Sequence, residues 1–205
     1  MKWFKTSSSG EIDVPNVPGK LIILSGPSGA GKSTVVSRLL RDCPLPLELS
    51  VSATTRKPRA GEENGVNYWF IDDDDFQNRR MAGEFLECFE VFGRGIWYGT
   101  LKKPVTTGLN AGKWVILEID VQGARSAFEH FPDAITLFVH PGSLEELETR
   151  LRGRKSENDE AIRRRLEVAR EELAAADWYQ HVVVNAEIEQ TVSDICHILE
   201  SYREK

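Results

Sequence analysis

Lys20-Leu-Ile-Ile-Leu-Ser25, running straight into Gly26-Pro-Ser-Gly-Ala-Gly31-Lys32-Ser33, is the most informative stretch of this 205-residue chain. The first part is an apolar run bounded by Gly19 and Gly26, the pattern of a strand buried on both faces. The second fits G-x-x-x-x-G-K-[ST]. From Ser33 to Arg41, Val35, Val36, Leu39 and Leu40 fall on one helical face. Strand, glycine-rich turn and helix together are the context that gives the motif its meaning, a phosphate-binding loop. Gly26, Gly29 and Gly31 let the backbone curl until its N–H groups converge on a phosphate. The helix N-terminus adds positive potential. Lys32 reaches the β- and γ-phosphates, and Ser33 offers a hydroxyl to Mg²⁺. Gly26, Pro27, Ser28, Gly29, Ala30, Gly31, Lys32, Ser33 and Thr34 are therefore the predicted triphosphate-binding segment. Motors, switches, helicases and kinases share this loop, so its use must be read elsewhere.

Outward from the loop, three further apolar runs read as buried strands: Trp114 to Asp120, Ala134 to His140 and His181 to Asn185. Helical patterns lie between and after them. Ser143 is placed to cap a helix through Leu144, Leu147 and Leu151, with Glu146 at the capping-box position. A charged helix is expected from about Asp159 to Ala176, and a last one from about Ile188 to Tyr202. Strands alternating with helices predict an α/β fold: a three-layer P-loop core with a mostly parallel five-stranded sheet. Two segments break the alternation. Residues 50–100, rich in Gly, Arg and short alternating pieces such as Val66 to Ile71, read as a small insert. Residues 146–170, carrying an Arg-rich stretch, read as a mobile lid. The core is then 19–49, 101–145 and 171–205, preceded by an extension over 1–18.

Composition narrows the classes. A formal net charge of −6 makes nonspecific nucleic-acid binding a poor expectation. No run approaches the ~18 apolar residues of a membrane helix. Met1 to Val17 lacks the apolar middle of a secretory signal, so the expected location is the cytoplasm. The three cysteines lie far apart without metal-ligand spacing, and the four histidines form no ligand motif. The run Asp72 to Asp75 reads as the capped, acidic start of a helix before Phe76.

The residues that would choose a phosphoryl acceptor begin at Ser50-Val-Ser-Ala-Thr-Thr-Arg56-Lys-Pro-Arg59. Two guanidiniums three residues apart can fork onto a dianionic phosphate, and the phenols of Tyr68 and Tyr98 can donate to its remaining oxygens. With Asn64-Gly-Val-Asn-Tyr68, Phe85-Leu-Glu87, Gly95-Ile-Trp-Tyr98-Gly-Thr100 and Glu118-Ile-Asp120-Val-Gln-Gly123, this segment resembles the guanylate kinase family, over nearly the whole chain from about Gly19.

The resemblance implies transfer of the γ-phosphoryl group of ATP to GMP, giving ADP and GDP in purine metabolism. GMP would be held by Ser52, Arg56, Arg59, Tyr68, Glu87, Tyr98, Thr100 and Asp120. Guanine carries donors at N1 and N2 and an acceptor at O6, so it calls for carboxylates facing one edge and hydroxyls facing the other. The family pattern puts Glu87 and Asp120 on the donors and Ser52 and Thr100 on O6. It puts Glu118 on Mg²⁺ through water, alongside Ser33, and Asn185 near the adenine of ATP. It makes Lys32, Arg56, Arg154 and Arg165 the catalytic cations, the last two swinging in with the lid, with Arg150 a weaker candidate. Arg152, Arg163 and Arg164 read as solvated. No residue is assigned to the ribose, so GMP against dGMP stays open, as does monomer against oligomer. A scaffold-type binding module of the same fold would be expected to lack the phosphate loop. A ribose bisphosphokinase would lack the guanine set, and a GTP switch would need an Asn-Lys-x-Asp loop.

Overall fold

The computed structural model describes residues 19–91, 95–153 and 159–203. Its main sheet is wholly parallel and contains β1 (Leu21–Ser25), β2 (Leu47–Leu49), β7 (Trp114–Glu118), β8 (Ile135–His140) and β9 (His181–Val184), in the order β2-β7-β1-β8-β9. The apolar runs of β1, β7 and β8 follow from this architecture, because helices cover both faces; the run expected as a fourth buried strand forms the edge strand β9, where Val183 is buried and Val182 and Val184 are exposed. On one face Ile22 and Leu24 meet Val35, Val36 and Leu39 of α1 (Lys32–Asp42) and Val192, Ile195 and Leu199 of α7 (Ile188–Glu200). On the other, Leu21 and Ile23 meet Val105 of α3 (Lys102–Asn110) and Val121, Ala124 and Ala127 of α4 (Val121–His130). The core is thus the three-layer one expected.

The excursion after β2 builds a second sheet, ordered β4-β3-β6-β5, from β3 (Ala53–Thr54), β4 (Trp69–Phe70), β5 (Phe85–Val91) and β6 (Ile96–Leu101). Its small core stacks Phe76 of α2 (Asp73–Met81) on Phe85, ring centroids 4.4 Å apart. The acidic run starts α2 as expected: Asp72 is the N-cap and its carboxylate accepts the N–H of Asp75 at 2.7 Å. The alternation over Val66 to Ile71 yields a strand only at Trp69–Phe70.

Helices α5 (Leu144–Arg152) and α6 (Asp159–Ala174) pack on each other through Leu147, Leu151 and Ala169. Ser143 caps α5, accepting the N–H of Glu146. The last two helices end at Ala174 and Glu200, slightly short of the periodicity-based bounds.

This topology positions chemistry. Ligands of an open parallel sheet sit beyond the strands' carboxyl ends. Here β1, β7 and β2 are consecutive neighbours, so the phosphate loop after β1, the acidic turn after β7 and the start of the second sheet after β2 all open onto one rim.

Candidate active site

That rim is a cleft of about 460 Å³, within the range of a small-molecule site. One wall is the phosphate loop. Gly26, Gly29 and Gly31 all take positive φ, 141°, 100° and 93°, conformations that side chains resist. At Gly26 a Cβ would also stand 2.3 Å from the carbonyl oxygen of Val139 on β8. Lys32 Nζ arches back over the loop, donating to the carbonyls of Gly26 at 2.5 Å and Pro27 at 3.2 Å. Asn185, at the end of β9, lies behind this wall rather than in the cleft lining. Its amide donates to the carbonyl of Ala30 at 2.8 Å and accepts from Thr191 at 3.2 Å. Arg150 also reaches the back of the loop, donating to the carbonyls of Ala30 at 3.3 Å and Asn185 at 2.7 Å. The weaker candidate of the Arg-rich stretch is therefore a staple between α5, the loop and β9.

Because β1 and β7 are hydrogen-bonded neighbours, the residues that follow them meet: Ser33 Oγ donates to Glu118 Oε1 at 2.6 Å. A hydroxyl beside one carboxylate is a hard-oxygen pair that fits Mg²⁺, which keeps several waters and takes phosphate oxygens besides. Among the described residues no three His, Cys, Asp or Glu side chains gather into a metal cage.

The opposite wall is the second sheet. Arg56 forks onto Glu62, Nη1 and Nη2 lying 2.8 and 2.9 Å from its two oxygens, while Nε donates to Tyr98 Oη at 3.1 Å. Its guanidinium also lies over the rings of Tyr68 and Phe70, at 5.4 and 5.6 Å. Glu62, whose carboxylate also accepts the N–H of Arg59 at 2.6 Å, is a site residue that the sequence reading missed. The Arg56 hydrogen bonds hold the Glu62 carboxyl down to about 2, and Glu62 in turn raises Arg56. Tyr68, edge-on to Tyr98, is pushed up to about 12, chiefly by burial, so it stays a phenol able to donate.

At the inner end sits the predicted base-reading set. Glu87 is only 8% exposed, and burial pushes its carboxyl up to about 7, with nearby Asp120 adding to the rise. Thr100, fully buried, donates its hydroxyl proton to Glu87 Oε1 at 2.5 Å. Asp120 caps α4, accepting the N–H of Gly123 at 2.7 Å, while its side chain lines the cleft; the strand predicted to reach it ends at Glu118. A Cβ on Gly123 would stand 3.3 Å from oxygens of both Asp120 and Glu87, so the glycine lets α4 start against two carboxylates. Ser52 lines the cleft beside them.

From α6, Arg165 lines the cleft together with Val168 and Glu172, and the last of these was also missed. Arg154 lies outside the described residues. Arg163 and Arg164 are exposed, and Arg152 pairs with Glu148 and Asp159 at the surface.

A phosphate loop facing a wall of Arg56, Tyr68 and Tyr98, with the carboxylates of buried Glu87 and half-buried Asp120 at the inner end, defines a P-loop kinase of a nucleoside monophosphate. The comparisons narrow this. The guanylate kinase family model matches residues 18–202. The guanylate kinase of Rhodopirellula baltica is 54% identical over 184 residues, 89% of this chain and 88% of that one; that of a Nostoc species is 47% identical over 177 residues, 86% and 87%. The crystal structure of guanylate kinase from Anaplasma phagocytophilum superposes with a TM-score of 0.75 at 34% identity, covering 92% of this chain and 88% of that one. The chain belongs to the guanylate kinase family. No helix among the described residues is long and apolar enough to cross a membrane.

Proposed function

We propose that the chain transfers the γ-phosphoryl group of ATP to GMP by in-line displacement, yielding ADP and GDP within purine nucleotide metabolism. One observation carries the reading. The phosphate loop, Arg56 with Tyr98 and Tyr68, and the Glu87–Asp120 pair open into a single cleft, so donor, acceptor phosphate and acceptor base have separate stations facing one space.

GMP enters with its phosphate on Arg56 and Arg59 and the phenols of Tyr68 and Tyr98. Its base lies against Glu87 and Asp120, which accept from N1–H and the 2-amino group. In the resting cleft Thr100 gives its proton to Glu87. Once guanine's donors satisfy Glu87, that proton is released toward O6, which Ser52 also faces. Adenine presents no donor at N1 and the wrong group at the 6-position. It leaves a buried carboxylate unpaired, about 1–3 kcal/mol for each bond not made.

ATP lies along Gly26 to Thr34, with Lys32 on the β- and γ-phosphates. Mg²⁺ would be held by Ser33, with Glu118 through water, and supplies charge neutralisation on the phosphate oxygens. Arg165 and Arg154 approach from the lid, taken as 146–170. The lid closes toward the acceptor-binding insert, 50–100, and excludes the water that would otherwise accept the phosphoryl group. Such catalysis rests on alignment and positive charge, with no covalent intermediate.

The test is coupled ADP production with ATP and Mg²⁺, run in parallel with GMP, AMP, CMP, UMP and no acceptor. Turnover with GMP alone is expected. Folded protein that is inactive with GMP refutes the reading.

A further inference from the structure

Glu172 lies near the end of α6, two turns beyond Arg165, and shares the cleft lining with Ser28 and Lys32. With Val168 between them, these residues form one stripe facing the phosphate loop. The Glu172 carboxylate faces the backbone N–H of Ser28 and stands in the field of Lys32. The other acid acting on it is Asp120, whose charge opposes its ionisation. Burial is the larger influence and raises the carboxyl to about 6, while Lys32 and the Ser28 N–H draw it back toward the charged form. None of the roles above uses this group. It belongs neither to the Ser33–Glu118 pair nor to the base-reading set, although Asp120 of that set lies within its field. An anionic oxygen facing a phosphate-loop N–H, near the lysine that serves the β- and γ-phosphates, is the arrangement a triphosphate makes.

We propose that Glu172 occupies the γ-phosphate end of the ATP site in the resting enzyme and is exchanged for the triphosphate when ATP binds, so that its charge sets ATP affinity. The proposal rests on the ATP:GMP reading above. Glu172 places a counter-charge before the loop's N–H groups and lysine while the cleft is empty, and it opposes occupancy by an anion that cannot displace it. GMP binds at the other wall and is indifferent to it.

The test is calorimetric titration of the intact protein with ATP, with tripolyphosphate and with GMP, comparing wild type with Glu172→Gln, which keeps the shape and the acceptor but removes the charge. ATP and tripolyphosphate are expected to bind the variant more tightly, on the order of tenfold, with GMP binding unchanged. Glu172→Asp, which draws the carboxylate back from Ser28, is expected to shift the same way by less. This second variant serves as the test if the first does not fold. Equal or weaker ATP binding by the folded variants overturns the proposal. Wild-type protein that binds GMP but no ATP overturns the ATP-site reading itself.

Discussion

Replacing Glu87 with Gln should stabilise the empty protein and ruin its acceptor site together. The wild-type carboxyl titrates at about 7 in the fold against an ordinary value of 4.5, chiefly because it is buried, with Asp120 adding to the rise and the Thr100 hydroxyl opposing it. Between those two values the native state holds a proton that the unfolded chain has released, so stability falls as pH climbs through the window. At about 1.4 kcal/mol per pH unit, the interval from 4.5 to about 7 corresponds to roughly 3 kcal/mol, fully lost above neutrality. Gln carries no such charge and still accepts from Thr100. The variant should therefore melt about 6–12 °C above wild type at pH 8, with the gap shrinking toward pH 5. Its kcat/KM for GMP should drop by a factor on the order of 10²–10⁴, because an amide cannot accept from both guanine donors. Ligand-free melting curves from pH 5 to 8.5, paired with GMP saturation kinetics, read both effects. Comparing the two proteins at each pH cancels the titrating groups that do not interact with Glu87. A melting gap that does not change with pH would refute the reasoning, since a buried, charge-penalised carboxylate requires one.

Other outcomes follow from single contacts. Lys32→Ala removes the cation held over the loop by Gly26 and Pro27 and should lower kcat by a factor on the order of 10³ or more, leaving GMP affinity nearly intact by calorimetry; normal turnover would remove Lys32 from the mechanism. Arg56→Ala should raise the GMP KM and lower kcat, and it strands Glu62, whose carboxyl should return from about 2 toward its ordinary range; an unchanged GMP profile would take Arg56 out of the site. Gly31→Ala sets a Cβ 2.5 Å from Asn185 Nδ2 at a φ of 93° and should destabilise the fold by about 2 kcal/mol or more, measured by urea denaturation. Wild-type stability in that variant would mean the loop can rearrange freely.

The sequence disclosed most where local physics and function ask for the same residue. A phosphate loop needs its glycines and lysine at fixed spacing, so Gly26 to Ser33 was readable without any tertiary knowledge. Strands β1, β7 and β8 were readable because burial on both faces leaves continuous apolar runs; β9 was readable from its valine run, although as an edge strand it buries Val183 and leaves Val182 and Val184 exposed. The fifth strand, Leu47–Leu49, is short and lies at the sheet edge after Pro46, too brief to show a period. Helix α4 was expected between strands but not placed, because after Val121 its inward positions are Gly123, Ala124 and Ala127, small residues that allow close approach and give little hydrophobic contrast. Site residues were lost for another reason. In Gly61-Glu62-Glu63 nothing distinguishes Glu62 from its neighbour until the loop folds back on Arg56. Glu172 reads as one more acid on a charged helix until α6 turns it inward. Arg150 was visible only as a member of an arginine-rich stretch, and its role depends on carbonyls that a sequence does not display.

Glu62 and Glu172 point to a common way in which an acidic chain handles anionic substrates. Among the described residues the cleft lining carries five carboxylates, Glu62, Glu87, Glu118, Asp120 and Glu172, against four cations, Lys32, Arg56, Arg59 and Arg165. Substrates therefore do not fall into a positive well. Arg56 is already forked by Glu62, and the Ser28 N–H already faces Glu172 across the cleft lining. Binding at both stations is an exchange of one oxyanion for another. A carboxylate partner roughly offsets the desolvation of a partly buried guanidinium, so the empty cleft holds its arginine in working geometry without an uncompensated charge. An incoming phosphate wins only if it brings more than the carboxylate it displaces: a second charge, a third oxygen, or a base that satisfies Glu87 at the same time. A lone monoanion brings none of these. In the proposed reading, selectivity in this cleft begins with what the resident carboxylates exclude, and Glu87 with Asp120 refines it for guanine.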